Sequence, residues 1–227
     1  MSYQFESSDP NPVTRKSFTC NLLCAQCSAQ TVAGHQCRRT TCKYLPFCHS
    51  HLKSILGLRI ADSRILAAGS GLFATRAIPN GTEFPYYGEA LTRTELNRIY
   101  GTRLVAASPY SIAYPVRARV GRRMVNTSNF VDGACIRSAP VYANDVNTNI
   151  VNNPVLSLQY NAELQTSNSG PRRVFIRTIR NIAANEEIYV DYGRNYWMSH
   201  PAVNITRSRK IRHPTRPAGN PSPPAPL

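Results

Sequence analysis

The sequence is poor in acid. Its 227 residues carry 12 Asp and Glu against 27 Lys and Arg, a net charge of +15. A balance that basic favours anionic partners such as nucleic acid, chromatin or an anionic membrane. No single lysine block holds the charge, so a soluble protein with basic tails remains the plainer reading. Long apolar runs are absent too. None approaches 18 residues, which excludes a spanning helix of the usual length, and no membrane partner is expected. The polar start MSYQFESSDP has no apolar stretch of the kind a secretory signal needs. These absences predict an intracellular, reducing setting. Cysteines there serve more often as metal ligands or core residues than as disulfides. Tryptophan is nearly absent, with Trp197 alone.

What is present falls into four segments. Residues 1–19 are polar, include Pro10 and Pro12, and are expected to be a disordered lead. Residues 20–52 hold six of the seven cysteines and three of the five histidines. From 58 to 197 short apolar or β-branched runs alternate with Gly, Asn and Pro turns, as in LRIADSRIL, GLFATRAI, RVFIRTI and EIYVDYG. This spacing predicts a mostly β fold of many short strands. One helix is expected in TRTELNRIYG, with Thr92 as cap, Glu95 completing a capping box and Gly101 as stop. Residues 198–227 contain seven prolines, five Lys and Arg and no acid, and read as a basic, disordered tail.

The cysteine segment has metal-ligand spacing. Zinc takes four soft or borderline ligands in a tetrahedron, offered as two close pairs. Cys48-x2-His51 is one pair, and Cys27 with Cys37 can supply the other across a turn at Thr31 and Gly34. Cys37 with Cys42 is a rival pair. Eight candidates exceed one tetrad, so either one zinc leaves spare cysteines or two zincs are bound. The segment is too short to bury a core, so a metal would have to hold it. The run TVAGHQCRRTTCKYLPFCHSHL is similar to a small Cys/His module found ahead of other domains in proteins of large DNA viruses and some protists. That resemblance implies Cys27, Cys37, Cys48 and His51 as the tetrad.

The stretch GSGLFATRAIPNG, residues 69–81, lacks what a phosphate loop needs. A third glycine is missing, since position 74 is Ala, and no Gly-Lys-Ser/Thr follows. The run after it continues as strand and offers no helix N-terminus to an anion. By itself it is a turn. Four further stretches follow it in order: Tyr86-Tyr87-Gly88-Glu89, Asn144-Asp145, Asn161-Ala162-Glu163-Leu164, and Glu187-Ile188-Tyr189-Val190-Asp191-Tyr192-Gly193. Together with GSGLFA they resemble the SET domain, the fold of protein-lysine methyltransferases that use S-adenosylmethionine. The resemblance covers roughly residues 58–197. It implies a β-clip fold of short sheets with few helices, preceded here by the zinc-bound module.

The resemblance also implies roles. Gly69, Ser70, Gly71 and Leu72 would lie against the cofactor's amino-acid end, where a Cβ would block close approach. Tyr86 would wall the cofactor pocket. Asn144 would bond the methionine part, and the main chain of Asp145 would meet the adenine. Asn161 would sit in the family's knot-like crossing. Tyr192 would stand at the methyl-transfer point. Tyr110 and Tyr114 are candidates for the lysine channel, or else surface strand aromatics. Glu187 and Asp191 would fix the motif through a nearby Arg more readily than act directly. The family's common N-H-S-C is Asn144-Asp145-Val146-Asn147 here, so a carboxylate replaces the histidine. No cysteine follows Tyr192, which leaves Asn195, Tyr196 and Trp197 as the aromatic supply to close the pocket. The implied partner is a protein with a lysine in an extended segment, a histone tail being one candidate. Nucleic acid could be held by the zinc module and basic tail. A nuclear location follows from that reading, or a virion if the chain is viral. A catalytically inactive SET-like binding module is the alternative.

Overall fold

In the computed structural model the described residues are 2–6, 17–65, 68–100, 110–121, 123–146, 159–167, 174–193 and 196. Among them the chain is mostly β, as expected. Its strands run β1 (Ser2–Glu6), β2 (Ser17–Asn21), β3 (Ala25–Gln26), β4 (Thr40–Thr41), β5 (Leu58–Asp62), β6 (Ser70–Ala74), β7 (Glu83–Pro85), β8 (Glu89–Leu91), β9 (Ser111–Val120), β10 (Arg123–Asp132), β11 (Ala162–Thr166), β12 (Val174–Thr178) and β13 (Glu187–Ile188). Helix α1 is a single turn, His49–His51, widening into a π-type turn at Leu52–Leu56. Helix α2 spans Arg93–Tyr100, followed later by a short 3-10 turn at Ala139–Tyr142.

The capping box forms as the sequence predicts. Thr92 N donates to Glu95 Oε2 at 2.8 Å, and Glu95 N donates back to Thr92 Oγ1 at 3.3 Å. Two backbone donors that the helix start would leave unpaired are thereby satisfied.

Three small antiparallel sheets surround the core, in the orders β13-β6-β5, β11-β12-β7 and β8-β10-β9. Inward residues of the first two meet in one cluster that includes Leu58, Leu72, Phe84, Ile176, Ile182 and Ile188, while the third sheet buries Leu91 and Phe130 in a second cluster and Tyr114 and Val131 in a third. Leu72 pairs with Ile60 on one side and Ile188 on the other. It is fully buried, so its side chain belongs to this core.

The N-terminal lead departs from expectation. Ser2–Glu6 pairs antiparallel with Ser17–Asn21. The apolar Tyr3 and Phe5 alternate with polar neighbours there, a strand period that the prolines farther along do not disturb. The other departure concerns cysteine. Cys20–Cys135 and Cys24–Cys42 are disulfides. The reading of all cysteines as ligands or core thus holds only for the free Cys27, Cys37 and Cys48. The reason is local approach. Pairing of Ala25 with Thr41 sets Cys24 beside Cys42, and Leu23 N donates to Cys135 O at 2.9 Å, which brings Cys20 and Cys135 together.

Candidate functional site

Cys27, Cys37, Cys48 and His51 converge. Their ligand atoms lie within 4.8 Å of one another. Cys27 Sγ and Cys48 Sγ are each 3.4 Å from His51 Nδ1, and Cys37 Sγ is 4.0 Å from Cys48 Sγ. A tetrahedral zinc site with Zn–S near 2.3 Å has ligand-to-ligand edges of about 3.8 Å. The donor set and its spacing therefore fit a Cys3His zinc. Thr31 N donates to His35 O and Gly34 N to Thr31 O, making the expected turn between Cys27 and Cys37. Burial raises the Cys27 thiol. At Cys48 the same burial is outweighed by hydrogen bonds from His51, Cys27 and Cys37, and the thiol comes down to about 6. A thiolate is the form that binds metal.

The glycine loop sits on Glu187. A Cβ on Gly71 would overlap Glu187 Oε1, so the glycine makes room for a protein carboxylate beneath it. Glu187 is fully buried. It accepts from Ser63 Oγ at 2.6 Å, Arg64 N at 2.7 Å and Tyr189 OH at 2.8 Å. It fixes the motif, as expected, but through these groups and not through an arginine side chain. Gly69 differs. Its φ is +73° and a Cβ there would meet no atom within 4 Å. The open part of the loop is thus Gly69 and the exposed Ser70.

Asn144 and Asp145 join this loop to the C-terminal motif. Asn144 Nδ2 donates to Ser70 O at 3.0 Å and to Glu187 Oε1 at 3.4 Å. Its carbonyl accepts from Val190 N at 2.9 Å. Asp145 is buried, and its carboxylate accepts from Tyr192 N and Tyr160 OH, both at 2.8 Å. The carboxylate that stands in the family's histidine position is folded inward, where it holds the backbone of Tyr192. Nothing in residue type alone predicted Tyr160 as its second partner.

Asn161 completes the crossing. Its Nδ2 donates to Glu187 O at 2.8 Å and its Oδ1 accepts from Tyr189 N at 2.8 Å. The segment Glu187–Val190 therefore runs between Asn144 and Asn161, bonded to both.

Four tyrosines gather above it. Tyr192 OH donates to Ala143 O at 2.7 Å, and the Tyr192 and Tyr196 rings meet edge to face with centroids 4.6 Å apart. Tyr86 OH donates to Tyr110 O at 2.7 Å. Burial holds the Tyr86 and Tyr192 hydroxyls well above their ordinary range, and each feels the negative charge that Tyr110 or Tyr196 would carry. Tyr196 is pushed up to about 12 by burial and by Asp145. Tyr86, Tyr192 and Tyr196 are therefore neutral at physiological pH. The Arg137 guanidinium lies 4.5 Å from the Tyr110 ring centroid, a cation–π contact no sequence signal announced. Tyr114 is buried in an apolar cluster with Tyr86, Val131, Val141 and Val174. It is therefore not a surface aromatic. Trp197, Asn195, the loop after Val146 and the basic tail lie outside the described residues.

Known proteins supply a comparison. The SET domain family model matches residues 69–193. Among solved structures, the active polycomb repressive complex 2 in its stimulated state is similar at 22% identity and TM-score 0.40, over 60% of this chain and 15% of that one. The Chaetomium thermophilum polycomb repressive complex 2 gives 23%, 0.41, 61% and 16%. The same complex in an autoinhibited conformation bound to S-adenosylmethionine gives 22%, 0.41, 61% and 15%. This chain thus spans about a sixth of the length of those chains. No curated protein matches it. The family match begins at Gly69 and ends at Gly193, so it takes in the glycine loop, the Asn144-Asp145 tether and the last tyrosine motif: the chain belongs to the SET domain family.

Proposed function

We propose that the chain is an S-adenosylmethionine-dependent protein-lysine N-methyltransferase, with a structural zinc in its Cys/His module. One observation carries the reading. Two adjacent residues tether the two halves of the site: Asn144 holds Ser70 of the glycine loop, and Asp145 holds the backbone of Tyr192. The cofactor supplies an electrophilic sulfonium methyl when bound. Gly69 and Ser70 form the open floor for its amino-acid end. The amide nitrogen of Asn144 already donates to Ser70 and Glu187, so its Oδ1 is the atom left to accept from an amino group.

Tyr192 does the work nearest the transfer. Its proton is committed to Ala143 O, so toward an amine N–H the phenol oxygen acts as acceptor and not as donor. With its hydroxyl held neutral, it orients the amine and does not act as a base. The incoming lysine loses its proton to water before attack. A narrow aromatic site disfavours the charged ammonium and helps that loss. Catalysis then rests mainly on positioning. A histone tail, or another lysine in an extended segment, is the substrate class that fits, and the nucleus is the location that follows. The domain limits of the sequence reading, a zinc module at 20–52 and a methyltransferase domain at 58–197, are kept.

The test is transfer of labelled methyl from S-adenosylmethionine to histone substrates. Tyr192→Phe should lower turnover about 100-fold while cofactor affinity stays within about threefold, since the lost hydroxyl orients the amine and touches no cofactor group assigned here. An equally active variant would remove Tyr192 from the mechanism. One observation favours the second reading, a SET-like module without catalysis: both amide hydrogens of Asn144 are spent within the protein. Absent cofactor binding by the folded chain would select it.

A further inference from the structure

The β9–β10 hairpin outruns the domain that carries it. At its base, β10 pairs with β8 only at Phe130, Val131 and Asp132. From Arg123 to Asn129 its sole strand neighbour among the described residues is β9, across Tyr114 to Val120. Seven residue pairs, each advancing about 3.3 Å, therefore form a two-stranded ribbon with no third strand among the described residues. The base is well anchored. Phe130 packs with Leu91, Leu96 and Tyr100 on one face. Tyr114 and Val131 pack with Tyr86 and Val141 on the other. Val116 still packs against the latter cluster; toward the turn Arg117, Arg119, Arg123 and Met124 are exposed, Met124 by 62%.

Its charge is of one sign. From Leu96 to Val131 the sequence has six arginines and no Asp or Glu. Arg117, Arg119 and Arg123 are all exposed on the ribbon. The cross-strand register puts Arg119 opposite Met124 and Arg117 two residues along, on one face. Arg123 belongs to the opposite face, with Val125. The Arg119 side chain donates to Gly121 O at 3.1 Å, steadying the turn. Among the described residues no carboxylate meets Arg117, Arg119 or Arg123, the ion pair present being Arg180 with Glu186. A bare two-stranded ribbon is marginal in water, and three unpaired guanidinium groups on it repel one another. An anionic partner would relieve both conditions.

We infer that the β9–β10 ribbon is a docking surface for duplex DNA, gripping phosphates with Arg117, Arg119 and Arg123. The wide groove of B-form DNA admits a two-stranded ribbon. Arginines on both faces would meet phosphates on both walls, and guanidinium forks suit phosphate oxygens better than ammonium groups do. This surface lies in a different stretch of the sequence from the zinc module and the basic tail. It is independent of the methyl-transfer reading. It also gives the basic chain a way to sit on chromatin while the tyrosine cluster meets a cationic peptide.

The experiment is fluorescence anisotropy of a labelled DNA duplex with the full zinc-loaded chain across a KCl series. The triple variant R117S/R119S/R123S is compared with a tail variant R209S/K210S/R212S and with R117K/R119K/R123K. Each phosphate contact contributes about 0.9 to the slope of log affinity against log salt. The serine variant should flatten the slope by about 2 to 3 and lose about tenfold in affinity at moderate salt. The lysine variant should keep most of the slope. Unchanged thermal melting shows that the exposed substitutions leave the fold intact. Wild-type affinity and slope in the serine variant would overturn the proposal. So would loss of binding in the tail variant alone, or a serine-variant defect seen with an acidic peptide but not with the duplex.

Discussion

The Cys/His module and the crossing around Asn161 solve one problem in two ways. Each must hold chain segments together through polar groups removed from water. The module uses three thiols and an imidazole within 4.8 Å of one another, a set that repels itself once ionised and therefore needs a cation. The crossing uses one neutral amide, fully buried, that pairs with backbone groups of Glu187 and Tyr189. Neutral donors and acceptors satisfy each other without a third party. On the proposed zinc reading the module's order is conditional on metal, whereas the crossing is built in.

The largest effect should come from breaking the conditional side. Structural zinc in small modules contributes on the order of 10 kcal/mol. The Cys24–Cys42 disulfide closes a loop with a sequence separation of 18, worth about 3 kcal/mol more. With disulfides reduced, chelation should release amide exchange throughout residues 24–51 while β5, β6 and β12 stay protected. Exchange that rises equally in both regions would erase the distinction.

A smaller effect should come from the built-in side. Asn161→Ala strands a buried N–H and a buried carbonyl, at about 1–3 kcal/mol each. Urea unfolding should show a loss of about 3 kcal/mol that added zinc does not restore. A loss below about 1 kcal/mol would mean that water or rearranged backbone replaces the amide.

The smallest effect is electrostatic and sits at the rim of the crossing. Burial raises Glu186, but hydrogen bonds from Arg180, Ala183 and Asn161 outweigh it and hold its carboxyl below the usual range. A carboxyl lowered on folding stabilises above its unfolded pKa, and that gain is lost as pH falls through the folded value. Arg180→Gln should therefore move the acid-unfolding midpoint upward by a few tenths of a pH unit, while stability at neutral pH falls by less than about 1 kcal/mol, because Arg180 is half exposed. An unmoved midpoint would place Glu186's support in Ala183 and Asn161 alone.

What could be read from the sequence was what is local. The capping box of Thr92 and Glu95 spans four residues, and its chemistry is complete within them. The turn between Cys27 and Cys37 and the tetrad with His51 lie within one short segment. The motif order from Gly69 to Tyr192 was legible because each stretch keeps its own spacing. The remainder depended on closure between distant residues. Cys20 meets Cys135 across 115 positions, and no spacing rule reaches that far. The reason for Gly71 is Glu187, which only the pairing of β6 with β13 brings beneath it. Asp145 read as a misplaced charge near a nucleobase; folding turns its carboxylate onto Tyr192 N, where it positions the residue assigned to catalysis. Strand β1 was hidden because a proline-bearing polar lead outweighs five alternating residues in composition.

The central claim is that the Asn144–Ser70 and Asp145–Tyr192 tethers assemble a working methyl-donor site. Calorimetric titration of the zinc-loaded chain with S-adenosylmethionine tests it most directly. One molecule bound per chain, with micromolar affinity, is the predicted result. No heat of binding in a chain that melts cooperatively would contradict it, and would leave a SET domain whose asparagine has closed its own site.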